Sequence, residues 1–180
     1  MNTSTLQKSL IAAFILAFAL WFGGGIIRNS IAFDVFLPGT LDVKPFLKQE
    51  QINYSLRLLG VTGYYTVAGY ALAFFSLSGL LMVFRKQLKS QGWMFMSFIL
   101  FYLCSPVEFY QMWIDLKLIF RTNAIDFVSL MRDDGLFTLF KERFHPWMTA
   151  ASFITLLSYL TALLFLAWQP LKTQKQADIH

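Results

Sequence analysis

Residues 10–27 read LIAAFILAFALWFGGGII, eighteen positions without a charge. Crossing a hydrocarbon core of about 30 Å takes roughly 20 helical residues. Three more uncharged runs cover residues 59–84, 90–107 and 147–168. In lipid every backbone N–H and C=O needs a partner, and a helix supplies it within the segment. Membrane barrels show segments of about ten residues that alternate in polarity, and these runs do not alternate. The sequence predicts an all-α polytopic membrane protein. It forms one domain over 1–180, with four spans at about 9–28, 59–84, 90–110 and 147–168. The first and third are expected to run past the charges that end them.

Composition agrees. The 180 residues are 57% hydrophobic and 14% charged, with a mean hydropathy of +0.55. Soluble domains carry about 25% charged residues, so an ordinary soluble enzyme domain is excluded, and so is disorder. Cys104 is the single cysteine, which excludes internal disulfides and cysteine-based zinc sites. His145 and His180 are badly placed for a buried bis-histidine haem. The net charge of +5 goes with no recognition module for nucleic acid.

The placement of charge predicts the topology. The segment before the first run, the short RKQLKS link after residue 84 and the tail after residue 168 hold six basic residues and one acidic. The two long connections hold the other nine basic and nine acidic residues. Excess Lys and Arg mark the cytoplasmic side. Both termini are therefore expected in the cytoplasm of a plasma membrane or bacterial inner membrane, with 29–58 and 111–146 outside. Ala17 and Ala19 resemble a signal-peptidase site, but the apolar run continues to Ile27, so the first span is expected to be retained.

The outer segments are expected to pack as a cap. Ile31, Phe33, Val35 and Leu37 alternate before Pro38-Gly39, and Leu41 and Val43 alternate after it. This pattern predicts a β-hairpin. Pro45 marks a helix start, with Phe46, Ile52, Leu56 and Leu59 as an amphipathic lead-in to span two. Beyond Glu108, EFYQMWIDLKLIF prolongs span three. AIDFVSLMRDD reads as a short helix ending at Gly135, and LFTLFKERFHPW as another stopped by Pro146. Four spans with a strand-bearing first outer segment resemble the claudin-like tetraspans in outline. The W…GLW…C…C pattern of that family is missing here, so no residue role is carried over.

Candidate site residues gather at the outer boundary. Glu108 follows eighteen uncharged residues, near Cys104 and Pro106, and Asp115 shares its helical face. Arg28, Arg57 and His145 close the other runs at the same side. In one reading these side chains snorkel or form ion pairs that pin the cap. In the other, Glu108 and His145 form a catalytic proton-transfer pair. Arg28, Arg57, Tyr64, Tyr70 and Trp113 would then bind a lipid headgroup or quinone. No metal is expected, because two ligands are too few, and RDDG with the other aspartates does not complete a calcium loop. No cofactor is predicted beyond a bound lipid or quinone.

Thr62, Thr66, Gly69, Ala73 and Ser76 form a small-residue stripe on span two, matched by the alanines and glycines of span one. It predicts bundle packing, or docking onto a second copy or another subunit through spans one and two. With no catalytic motif and no charge inside an apolar run, the leading expectation is a non-catalytic accessory or assembly subunit of a membrane complex. Lipid or quinone binding, with or without chemistry, comes second, and an oligomeric channel or transporter third. Labels attached at Lys86 and at Asp126 should report opposite sides of the membrane in permeability assays. Labelling from the same side would remove this layout.

Overall fold

A computed structural model describes residues 5–37, 40–124 and 134–169. The chain folds into five helices: α1 (Thr5–Val35), α2 (Gln49–Phe84), α3 (Gly92–Ala124), α4 (Asp134–Arg143) and α5 (Pro146–Trp168). Four of them, α1, α2, α3 and α5, are long and apolar enough to cross a membrane. α2 alone, with 36 residues, is about 54 Å long at 1.5 Å per residue. It therefore outruns a 30 Å core, and the ends of the long helices build the cap.

The α1–α2 pair is the closest. A Cβ added at Gly69 would lie 2.7 Å from the backbone nitrogen of Trp21, and one at Gly24 would lie 2.9 Å from Thr66 Cγ2. Small residues let two backbones approach where dispersion, rather than water exclusion, drives association. All five residues of the span-two stripe are buried within the chain. The stripe is thus used for intramolecular packing.

Two apolar cores follow. The first lies among α1, α2, α3 and α5 and is largely aromatic. Phe101 stacks on Tyr159 with centroids 4.7 Å apart, and on Tyr70 at 5.9 Å. The Tyr70 hydroxyl meets Ser105 Oγ at 2.9 Å and the Tyr159 hydroxyl at 3.0 Å, so its partners are other helices. The second core is the cap. Ala32, Val35 and Phe36 meet Ile52, Leu56 and Leu59 of α2, Ile114 and Leu118 of α3, and Leu136 and Phe140 of α4.

The hairpin expected in the first outer segment is replaced. α1 continues through Ile31, Phe33 and Val35, and among the described residues one antiparallel bridge, Phe36 to Val43, is all that remains of it. The physical reason is a competing helical period: Arg28, Ala32 and Val35 are buried on one face, and continuing the helix satisfies the backbone while burying them. α2 begins at Gln49, four residues after Pro45. The Leu47 N–H donates to Lys44 C=O at 3.2 Å, closing a turn over the proline. Phe46 is exposed, whereas Ile52, Leu56 and Leu59 are buried as the amphipathic pattern requires. Gln51 Oε1 accepts from the Lys48 N–H at 2.9 Å at the start of the helix.

α3 runs unbroken through Pro106 to Ala124, as the EFYQMWIDLKLIF pattern predicts. The AIDFVSLMRDD expectation falls mainly on 125–133, outside the described residues. Gly135 lies in the first turn of α4 rather than after a helix end. Pro146 opens α5, where its missing N–H costs nothing. The exposed Trp147 and Trp168 lie at opposite ends of α5. Their separation of about 30 Å along the axis matches two interfacial belts.

Gly69→Ala should destabilise the fold by about 1–3 kcal/mol, the usual range for overpacking, because its Cβ meets backbone. Gly23→Ala, with nothing within 4 Å of the added Cβ, should be neutral or slightly stabilising. Unfolding midpoints of the two variants in detergent check this difference.

Candidate functional site: a buried charge cluster beside a lateral cavity

Helical spacing builds the site. Trp21, Gly25 and Arg28 recur at steps of four and three on α1, as do Glu108, Gln111 and Asp115 at three and four on α3. Ser152 and Leu156 do the same on α5. Each set occupies one helix face, and these faces converge on a cavity of about 210 Å³. Thr66 of α2 and Arg143 of α4 complete its polar wall. Phe22, Ile26 and Phe153 also line it and are exposed. Together with the exposed polar side chains of Asn29 and Thr149, they form a mouth of mixed character contributed by α1 and α5.

Asp115 is the centre of the cluster. Arg28 grips its carboxylate with both terminal nitrogens, Nη2 at 2.7 Å from Oδ1 and Nη1 on Oδ2. Arg28 Nη1 also donates to Thr66 Oγ1 at 3.1 Å, and the Thr66 hydroxyl donates to Gly63 C=O at 2.9 Å. Arg143 Nε reaches Asp115 Oδ1 from the other side at 3.0 Å. One carboxylate thereby ties α1, α3 and α4 together. Bidentate, charge-assisted bonds of this kind are the strong ones.

Glu108 sits seven residues earlier on α3, about 10 Å lower along the axis. Trp21 Nε1 donates to its Oε2 at 3.1 Å. Among the described residues no hydrogen bond reaches Oε1. Beside it, the Gln111 side-chain amide donates to Ser152 Oγ, joining α3 to α5. Arg28, Asp115 and Glu108 are only 2%, 3% and 4% exposed. No charge lies inside an apolar run, as the sequence shows, yet these three charged side chains are buried. The apolar runs end at Ile27 and Val107, but the helices continue and carry Arg28 and Glu108 into the packed interior.

The other sequence candidates lie elsewhere. His145 is exposed, and its Nδ1 accepts from the Trp147 N–H at the start of α5. It does not line the cavity, so the structure does not bring it together with Glu108 there. Arg57 is exposed on α2. The Tyr64 hydroxyl accepts from Asn123 Nδ2 at 2.6 Å. Trp113 is exposed, with Lys117 Nζ 4.9 Å from its ring. Tyr70 is locked in the aromatic core. Of the candidates, Arg28 and Glu108 share the cavity wall. Arg143, Trp21, Thr66, Gln111 and Ser152 were missing from the candidates. Heptad-like spacing from Glu108 and Arg28 points to some of them, but no local signal marks Arg143. Among the described residues no group of three or more His, Cys, Asp or Glu is placed to hold a metal ion.

Comparison with protein-family models, curated proteins and solved structures finds no match to this chain. The site is therefore read from its own chemistry.

Removing one partner of a buried ion pair leaves an uncompensated charge, at a cost of about 3–5 kcal/mol. Asp115→Ala strands two guanidinium groups at once and should cost at least that much. Glu108→Gln retains an acceptor for Trp21 and removes a carboxylate that makes no ion pair among the described residues, so its cost should be much smaller. Denaturant titration of both variants in micelles checks the order.

Proposed function

We propose that this chain is a multi-pass protein of the plasma membrane or a bacterial inner membrane, with both termini cytoplasmic, that holds the polar end of an amphiphile in the cavity between α1, α3 and α5. One observation carries the reading. A buried carboxylate, Glu108, is fixed by Trp21 at one oxygen and among the described residues has no hydrogen-bond partner at the other, on the wall of a cavity whose exposed lining includes Phe22, Ile26 and Phe153. Glu108 lines the cavity, so a ligand donor held there can meet this oxygen.

Depth supports it. Counting about 1.5 Å per residue from Lys8 and from the basic link at 85–89, Arg28, Thr66 and Glu108 lie about 30 Å up their helices and Asp115 about 39 Å. That is the far edge of the hydrocarbon core, where lipid headgroups begin. Size supports it too. Drug-sized ligands occupy pockets of about 300–1,000 Å³, so 210 Å³ suits a headgroup whose chains stay in the bilayer. Phe22, Ile26 and Phe153 would flank those chains.

The accessory-subunit reading draws less support from the same structure. Its small-residue stripe is buried within the chain, and Arg28, Glu108 and Asp115 are buried where the helices run beyond the apolar stretches. A path for ions would have to cross an Asp115 carboxylate already gripped by two arginines.

Gly25 lines the mouth, and a Cβ there meets nothing within 4 Å. Gly25→Phe should therefore send a bulky side chain into the opening from a Cβ position that meets no neighbour. Native mass spectrometry of gently extracted protein should find a bound amphiphile in the wild type and lose it in Gly25→Phe, at an unchanged unfolding midpoint. A wild-type chain that carries none, even after reconstitution with lipid, would overturn the reading.

A further inference from the structure

We propose that the cavity selects a zwitterionic headgroup, a primary ammonium beside a phosphate, as in a phosphatidylethanolamine-type lipid. This rests on the amphiphile reading and names the ligand class for that site.

The charged groups of the site differ in how far they are already satisfied. Arg28 spends both terminal nitrogens on Asp115 and Thr66. Asp115 is shared between Arg28 and Arg143. Arg143 uses only Nε for that bond; its guanidinium lies 5.6 Å from the centre of the Phe144 ring, and among the described residues its two terminal nitrogens make no hydrogen bond. Glu108 uses one oxygen. Spare capacity thus remains on the guanidinium fork of Arg143, on one Glu108 carboxylate oxygen and, among the described residues, on the fully buried Nε of Arg28. Taken together, the four side chains are neutral, so the site asks for a ligand that carries both signs and no net charge. A guanidinium fork fits phosphate oxygens, and a carboxylate oxygen accepts an ammonium N–H.

The competing headgroups each leave something unpaired. An anionic phosphatidylglycerol type would satisfy Arg143 and set a phosphate near an unanswered Glu108. A phosphatidylcholine type has the right charges, but its trimethylated nitrogen has no N–H to donate. A quinone offers only acceptors, which Arg143 can use and Glu108 cannot. Gln111, its amide already donating to Ser152, adds a second acceptor on the Glu108 side.

The test is lipid retention by the full chain in nanodiscs containing equal parts phosphatidylethanolamine, phosphatidylcholine and phosphatidylglycerol, read by native mass spectrometry. A charge-assisted hydrogen bond contributes about 1.5–3 kcal/mol, so the ethanolamine lipid should be retained about tenfold or more over choline. Glu108→Gln should shrink that preference while lipid is still retained, and an unchanged preference in that variant would overturn the role of Glu108. Lipid retained without headgroup preference, or with preference for phosphatidylglycerol, would overturn the zwitterion proposal and leave the amphiphile reading standing. No retained lipid of any kind would sink the amphiphile reading itself. Soluble phosphoethanolamine should compete poorly because it lacks a chain. Competition as strong as the lipid's would remove the amphiphile while keeping the headgroup chemistry. The wild-type comparison needs no variant, so a poorly folding Glu108→Gln does not protect the idea.

Discussion

Asp115 is the constraint on which the arrangement depends. A carboxylate that is 3% exposed cannot remain ionised inside an apolar bundle without partners. It finds them in Arg28 and Arg143, which come from helices far apart in sequence. Holding those arginines fixes the rotation of α1, because Arg28 must point inward. It also docks α4 onto the end of α3. With α1 so turned, Trp21 faces Glu108 and Gly69 faces the α1 backbone. Cap, cavity and α1–α2 contact are thus consequences of satisfying one charge. Such pairs are often neutral for stability compared with apolar packing, so register and specificity are the reasonable benefits to assign to this one.

Much of this was legible in the sequence for a simple reason. Long uncharged runs have one solution in lipid, and Leu10–Ile27 or Trp147–Trp168 admit no other local structure. Patterns of length and polarity are one-dimensional and can be read directly. The extension of α3 through Trp113 and Ile119 could be read the same way. Glu108 and Arg28 stood out as the first charges after long apolar runs, and both line the cavity.

What was misread had two periods competing in one stretch. Ile31, Phe33 and Val35 alternate as a strand would, yet Arg28, Ala32 and Val35 also fit a helix face. The partners that decide between these lie on α2, α3 and α4, outside any local window. The structure does not bring Glu108 and His145 together at the cavity, for a related reason. Both close an apolar run, but His145 is consumed as a cap of α5. Arg143 could not be found at all, since its meaning depends on a bond to Asp115 across two helices.

The separation of 87 residues between Arg28 and Asp115 has a consequence for biosynthesis. Ribosomes add about 5–20 residues per second, so the arginine is delivered roughly 4–17 seconds before its counter-ion exists. At the centre of a bilayer a lone arginine costs about 2.5–3.5 kcal/mol on insertion scales. Near the edge its long side chain can reach headgroups and wait there hydrated. The position of Arg28 at the last turns of α1 thus lets the first helix be released into the membrane early, with its ion pair closed only when α3 arrives.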